Sequence, residues 1–156
     1  LYAEFTNKEG LFRAVLDRYI SRFAAKHEAQ LFCEEKSVEQ ALLDYFTTVA
    51  TCFTSKDTPA GCFMINTSAT HAASSREIAN TVKSRHAMQE ETLSTFLAQR
   101  QQRGELPAQC NPQLLAQYLS CILQGMSISA REGATLEKLQ HISETTLRLW
   151  PELLKI

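Results

Sequence analysis

Hydrophobic residues recur at spacings of three and four along most of the chain, the interval that gathers side chains on one face of an α-helix. The first such stretch spans about residues 7–31, and the second follows Ser37 and ends near Phe53. Each begins with a Ser or Thr that has a Glu or Gln three residues later, the capping-box spacing that marks a helix start. We therefore predict two amphipathic helices. The capping boxes are Thr6 with Glu9 and Ser37 with Gln40.

A long helix is predicted from Ser74 to about Arg103. Ser74 with Glu77 repeats the capping-box spacing, and the hydrophobic period continues from there. Gly104 follows directly and can end the helix in a left-handed conformation, which glycine adopts without steric cost.

Two further helices are predicted near the C-terminus. Asn111 is a capping residue followed by Pro112, and proline is tolerated at the first helical position because no N–H is needed there. From this start we expect a helix to about Arg131. The last helix should run from about Leu136 to Trp150 and the proline after it.

Residues 54–61 have turn composition and are predicted to form a loop. Residues 62–69 are short and apolar, so periodicity does not settle whether they form a helix or a strand. We interpret them as a short helix, because a lone strand in a helical chain would leave its backbone groups unpaired. The predicted fold class is therefore all-α, a bundle of about six helices.

The composition is that of an ordinary globular domain. The chain has 156 residues, 44% hydrophobic and 21% charged, which fits one compact domain rather than a disordered or membrane protein. Net charge is −1 and no stretch concentrates Lys and Arg, so this chain alone should bind DNA poorly. The first residue is leucine, and we expect the natural chain to begin upstream of it.

The opening residues resemble the junction between two domains of a known family. Leu-Tyr-x-x-Phe-x-x-Lys-Glu-x-Leu-Phe at residues 1–12 is similar to the segment of TetR-family transcriptional regulators where the DNA-recognition helix passes into the first body helix. The resemblance implies that residues 1–7 are a remnant of a helix-turn-helix domain. It also implies that residues 8–156 form an effector-binding and dimerisation domain.

Tyr2 and Lys8 are the DNA contacts that the resemblance implies, since residues in these places commonly touch phosphates in the family. Lys8 would lie at a helix N-terminus, where free N–H groups and positive potential favour a phosphate. The alternative is that Tyr2 packs internally and Lys8 is merely solvated.

Ten residues are candidates for lining an effector cavity between helices, because such cavities are mostly apolar with a few polar groups. A filled core would give the same pattern, and His86 alone is more often a hydrogen-bonded or half-exposed histidine. The candidates are Phe46, Phe53, Cys62, Phe63, Asn66, His86, Gln89, Phe96, Tyr118 and Ile122.

Cys62 is the one thiol whose position suggests reactivity, because the N-terminus of a helix lowers a thiol pKa. The alternative is a small buried filler. The chain has five cysteines, scattered and without a C-x-x-C pair, which fits reduced thiols in a cytoplasmic protein.

The last two long helices are predicted to form a homodimer interface of four helices, as the resemblance implies. One hydrophobic row of the helix after Asn111 can serve the core and a second row a partner, and the alternative is that all these residues pack internally. The predicted interface residues are Leu114, Cys121, Gly125, Ile128, Leu139, Ile142, Thr146, Leu149 and Trp150.

The resemblance predicts a ligand-responsive transcriptional regulator, a repressor released from operator DNA by a small-molecule effector. The chain contains none of the motifs of zinc proteases, α/β-hydrolases, dinucleotide-binding enzymes or P-loop proteins, so no enzymatic activity, metal or cofactor is predicted. The alternative function is a helical domain that binds a small molecule or a protein without regulating DNA.

Overall fold

A computed structural model of the protein describes residues 8–56 and 76–156, and these two ranges contain six helices and no strand. This confirms the all-α prediction. The predicted short helix at residues 62–69 and the capping boxes that begin at Thr6 and Ser74 lie outside the described residues. The helices are α1 (Lys8–Leu31), α2 (Val38–Phe53), α3 (Arg76–Gln102), α4 (Pro112–Arg131), α5 (Leu136–Arg148) and α6 (Trp150–Leu153).

Side-chain caps start three of these helices. The Ser37 hydroxyl accepts a hydrogen bond from the Gln40 N–H at 3.2 Å, as its spacing predicts. Asn111 Oδ1 accepts from the N–H groups of the first turn of α4, and the Thr135 hydroxyl does the same for α5. Gly104 (φ +79°) follows α3 and Gly133 (φ +98°) follows α4, where a residue with a side chain would be strained.

The last predicted helix is divided in two. α5 ends at Arg148, and Trp150 begins the single turn of α6, with Pro151 in a position that needs no backbone N–H. Trp150 is buried, and the Asn111 N–H donates to the carbonyl of Ile156 at 3.1 Å. The C-terminal turn is therefore fixed against the start of α4.

The core is built around α2. Eight of its sixteen residues are buried, and it packs against α1, α4 and α5. α3 packs along α4 and also contacts α1. α2, α4 and α5 together form a continuous apolar body.

Candidate functional site

A polar group lies between α1, α2 and α3. Tyr45 of α2 is buried, and its ring lies edge-on to the imidazole of His27 of α1 with the ring centroids 6.5 Å apart. Gln89 of α3 donates from Nε2 to the hydroxyl of Tyr45 at 3.4 Å. A few polar groups on apolar walls between helices are typical of small-molecule sites.

An ion pair links α1 to α3. Arg85 Nη2 lies 2.9 Å from Asp17 Oδ1. Both side chains are partly exposed, so the pair contributes at most about 1 kcal/mol.

Burial sets the protonation of several groups near these helices. Burial lowers the pKa of His86, which favours the neutral imidazole. Burial also raises the pKa of the Cys52 thiol, against smaller opposing effects from Lys26 and a hydrogen bond with Tyr19, and raises the pKa of Cys110. These two thiols are therefore less acidic than a free cysteine.

The seven candidate effector residues that the structure describes do not form one group. Phe46, Phe53 and Phe96 are buried in the hydrophobic core. His86 and Gln89 are half-buried on α3. Tyr118 and Ile122 line a groove between α4 and α5. The remaining three candidates, Cys62, Phe63 and Asn66, lie outside the described residues.

α4 carries two hydrophobic rows, one facing the interior of the chain and one facing outward. One row is buried or half-buried, and it consists of Leu115, Leu119, Ile122 and Met126. The other row faces outward; in it Leu114 is 46%, Tyr118 38% and Ile128 39% exposed, and Cys121 and Gly125 are exposed as well. We call these five residues the outer row of α4.

The exposed face of α4 has no charge. No Asp, Glu, Lys or Arg occurs from Pro112 to Ala130. Solvent-facing helix surfaces normally carry charged residues, and depletion of charge together with exposed apolar residues is typical of the centre of a protein interface. The outer row is therefore a candidate contact surface.

An open groove of about 330 Å³ lies beside the outer row, between α4 and α5. Its walls are mostly apolar, with Lys138, His141 and Thr145 adding polar groups. Leu149, which is exposed, closes the α5 side. The groove extends the apolar surface of α4 across to α5. Its other lining residues are Tyr118, Ile122, Ile142 and Thr146.

The predicted interface residues separate into two classes. Leu114, Cys121, Gly125, Ile128 and Leu149 are exposed, and Ile142 is half-buried in the groove. Three others are buried within the chain itself, and one of these, Thr146, also lines the groove. They are Leu139, Thr146 and Trp150.

Lys8 begins α1, and Tyr2 lies outside the described residues. Nothing in the described part of the chain therefore bears on the DNA contacts that these two residues are expected to make.

Sequence reasoning missed the role of Arg100. This residue is 2% exposed, and its guanidinium lies 5.3 Å from the ring centroid of Phe96. It donates to the carbonyl oxygens of Lys36 at 2.7 Å and Cys33 at 2.9 Å, and it pairs with Glu105 at 3.1 Å. A basic residue in the last turn of a helix usually indicates a solvated side chain, so no local signal reveals this one.

Asp17 is a second residue that the sequence does not single out. It lies 68 positions from Arg85, and only the packing of α1 against α3 brings the two side chains together. The sequence indicates a polar contact in this region only through the polar residues in the middle of α3. These are Arg85, His86 and Gln89.

In residues 8–56 and 76–156, no helix is both long and apolar enough to cross a membrane. The same residues bring together no group of three His, Cys, Asp or Glu side chains that could hold a metal ion.

Comparison with known proteins relates the chain to transcriptional regulators. Residues 38–145 match the family described as tetracyclin repressor-like, C-terminal domain. The chain is 75% identical over 155 residues to the HTH-type transcriptional repressor ComR of Escherichia coli, covering 99% of this chain and 74% of ComR. It is 30% identical over 139 residues to the repressor BdcR of Escherichia coli, covering 89% of this chain and 65% of BdcR.

Solved structures show the same fold. The TetR family regulator CifR, in a cysteine mutant complexed with 26-bp double-strand operator DNA, superposes with a TM-score of 0.90 at 25% identity, covering 97% of this chain and 78% of CifR. A Rhodococcus protein described as a TetR transcriptional regulator superposes with a TM-score of 0.69 at 27% identity, covering 96% of this chain and 79% of that one.

Proposed function

The chain belongs to the TetR family of transcriptional regulators, and on that premise we propose that residues 8–156 are the effector-binding and dimerisation domain of a repressor. Residues 1–7 would be the end of its helix-turn-helix domain. The observation that carries the proposal is the separation of two surfaces on one body. An uncharged apolar face lies on α4, and a polar group with a weak ion pair lies between α1, α2 and α3.

The face formed by the outer row of α4, the groove and Leu149 is the surface we propose for a second copy of the chain. An isologous dimer has two-fold symmetry, which matches an operator made of two inverted half-sites. Leu139, Thr146 and Trp150 then support this surface from within each chain, because they are buried without a partner present.

The region between α1, α2 and α3 is the part of the body we propose for the effector. Gln89 and His86 project polar groups from α3, and Tyr45 offers a hydroxyl from α2. Cys62, Phe63 and Asn66 remain candidates for the same site. Three buried core residues would support this site rather than contact the effector directly, since they are fully packed. They are Phe46, Phe53 and Phe96.

The proposed mechanism transmits binding through α1. An effector between α1 and α3 would compete with the Asp17–Arg85 ion pair, which links the two helices. Movement of α1 would then change the distance between the two DNA-binding heads of a dimer. The effector must bind the state that does not bind DNA more tightly, since equal affinity for both states would shift nothing.

Tyr2 and Lys8 are the DNA contacts we propose in this chain, both to phosphates. Phosphate contacts position a protein on DNA but do not read its sequence. The reading of bases would then fall to other residues of the helix-turn-helix domain. A repressor of this kind acts on chromosomal DNA, so we place it in the cytoplasm and assign it no catalytic role.

Selection of genomic fragments tests the proposal. The purified full gene product is mixed with fragmented DNA of its own genome, and the retained fragments are sequenced at two salt concentrations. We expect enrichment of a short inverted repeat, with weaker retention at the higher salt. The chain beginning at Leu1 is the matched control and should retain no fragment specifically. Equal, unspecific retention by both proteins would contradict a role as a DNA-binding regulator.

Thermal shift with a panel of small molecules tests the effector part separately. A ligand of the body should raise the melting temperature of the protein and lower its retention of the enriched fragment. Variants Gln89→Leu and His86→Leu should bind the same compound more weakly. A compound that stabilises the protein but leaves DNA binding unchanged would show that its site is not the regulatory one.

A further inference from the structure

We propose that the effector carries a carboxylate, which takes the place of Asp17 on the guanidinium of Arg85. This ligand class rests on the effector-binding role proposed above and narrows it to one kind of molecule. Three observations support it: Asp17 and Arg85 share a single hydrogen bond, both side chains are partly exposed, and an apolar side chain lies against the guanidinium.

Arg85 has more hydrogen-bond donors than the described residues use. A guanidinium presents five N–H donors in a planar fork. Nη2 donates to Asp17 Oδ1 at 2.9 Å, and Nη1 donates to Met88 Sδ at 3.5 Å. A thioether sulfur is a weak acceptor. Among residues 8–56 and 76–156, Arg85 therefore has one strong acceptor and spare donors for an oxyanion.

Asp17 engages Arg85 through one oxygen. A carboxylate and a guanidinium can form two parallel hydrogen bonds, an arrangement that adds both energy and specificity. The two side chains belong to different helices, α1 and α3, so the packing of these helices sets their relative orientation. A carboxylate on a small molecule is not tied to a helix and can align both oxygens with the fork. It therefore makes two bonds where Asp17 makes one.

The exchange leaves no buried charge without a partner. The Asp17 side chain is 43% exposed, so water can hydrate its carboxylate when Arg85 binds a different anion. The Arg85 side chain is 28% exposed, so a ligand can reach it from solvent. Loss of a partner is strongly unfavourable when the remaining charge is fully buried, and this exposure avoids that cost.

The local charge favours a carboxylate over a phosphate. Exchange of one carboxylate for another keeps Arg85 and its acceptor neutral as a pair. A phosphate monoester carries a charge of about −1.5 to −2 at neutral pH and would place excess negative charge near the displaced Asp17. Burial lowers the pKa of His86, the next residue of α3, which favours the neutral imidazole. His86 therefore does not offset the extra charge of a phosphate.

The surroundings of Arg85 fit an apolar body on the same ligand. Met88 lies against the guanidinium and is 50% exposed, and methionine adapts its shape to irregular apolar groups. Gln89 follows Arg85 by one helical turn, and one turn further Leu93 is buried. This side of α3 thus changes from charged to amide to apolar along the helix. A molecule with a carboxylate at one end and a hydrocarbon chain matches that order.

The carboxylate also explains how a ligand would act on α1. A cation would be repelled by Arg85, and a neutral molecule offers no charged acceptor in place of Asp17. Among molecules of one shape, the carboxylate is therefore the one that separates Asp17 from Arg85. That separation is the step through which the proposed mechanism transmits binding.

Three probes with the same eight-carbon chain test the ligand class. They are octanoate, octanol and octyl phosphate, each titrated into the full gene product labelled with ¹³C in its methionine methyl groups. The Met88 signal, assigned with Met88→Leu, reports on the site, and the buried Met126 of α4 is the internal control. We expect octanoate to shift the Met88 signal saturably and to leave Met126 unchanged.

The other two probes should bind more weakly than octanoate. For octanol the loss should be at least about tenfold, since a hydrogen bond to a charged group contributes that much to an equilibrium constant. Octanol or octyl phosphate that binds as tightly as octanoate would overturn the proposal. Absence of a saturable Met88 shift with octanoate would overturn it as well.

Two substitutions should change octanoate binding in opposite directions. Arg85→Gln should weaken it at least about tenfold, because the charged donor is lost. Asp17→Asn should strengthen it, because the competing carboxylate is removed while the shape of the side chain is kept. Lys83→Gln is the matched control on the exposed side of α3 and should change nothing. If Arg85 and Asp17 only stabilise the fold, both substitutions should act alike, and that result would overturn the proposal.

Operator binding by the same variants separates this ligand class from the function on which it rests. Without ligand, Asp17→Asn and Arg85→Gln should both weaken operator binding by the full gene product, because each breaks the ion pair. Operator binding equal to wild type in both would contradict the proposed transmission through α1. Weakened operator binding in both, with octanoate binding equally to wild type and Arg85→Gln, would contradict only the carboxylate.

Discussion

Replacing Arg100 with methionine is expected to lower the free energy of unfolding by about 3 kcal/mol. Arg100 is buried in the last turn of α3, and its guanidinium donates to the carbonyl oxygens of Lys36 at 2.7 Å and Cys33 at 2.9 Å. Both carbonyls belong to the connection between α1 and α2. The residue therefore fixes the end of α1 against α3.

The magnitude follows from what methionine keeps and what it loses. Methionine fills similar space and retains apolar contact with Phe96, so no large cavity forms. Glu105 is 34% exposed and can be solvated when its partner is removed, so its pair adds little. The two carbonyls lose a charged donor, and a hydrogen bond to a charged group contributes about 1.5–3 kcal/mol. Two such bonds at the lower end of that range give about 3 kcal/mol.

Urea unfolding followed by far-UV circular dichroism measures this difference, at one fixed protein concentration because dimer stability depends on it. The melting temperature should fall by roughly 6–12 °C for a chain of this length. Arg103→Met is the matched control, since its side chain is 44% exposed and 3.7 Å from the same Glu105. It should change stability by less than about 0.5 kcal/mol. An Arg100→Met variant as stable as this control would refute the reasoning.

Three further predictions concern charge. Because burial depresses the pKa of His86 in the folded state, the unfolded state binds more protons, and the free energy of unfolding should fall as the pH drops from 7 towards 5. In urea titrations, His86→Gln should make this fall smaller. An unchanged dependence on pH would show that His86 does not cause the fall. A double-mutant cycle with Asp17→Asn and Arg85→Gln should give a coupling of at most about 1 kcal/mol that shrinks in high salt, whereas a coupling above about 2 kcal/mol would mean the pair is not partly solvated. In the full gene product, Lys8→Ala should reduce the slope of log affinity for operator DNA against log salt by about two, since each chain of a dimer loses one phosphate contact. An unchanged slope would show that Lys8 touches no phosphate.

The fold could be predicted because its signals are local. The caps at Ser37 and Asn111 lie in the chain beside the helices they start, and the glycines after α3 and α4 mark their ends. A cap or a left-handed glycine acts on the adjacent turn, so its effect can be read without knowing the packing. The boundary near Trp150 was placed wrongly because burial of the indole, a tertiary effect, drives the extra turn of α6.

The candidate surfaces could be predicted only in part. Spacing separated the two rows of α4, but it could not tell which row faces outward, because both are apolar. The same ambiguity placed Leu139 and Trp150 among the interface residues and Phe46 among the effector contacts, although all three are buried within the chain. Periodicity indicates that a residue packs against another element. Only the tertiary structure shows whether that element belongs to the same chain or to a partner.

The number of chains on one operator tests the central claim most directly. Native mass spectrometry of the full gene product bound to an enriched genomic fragment gives this number without a label. A dimeric repressor of the proposed kind should bind as two chains, or a multiple of two, on each inverted repeat. Gly125→Leu should reduce the abundance of this complex. A complex with a single chain on its site would contradict the account.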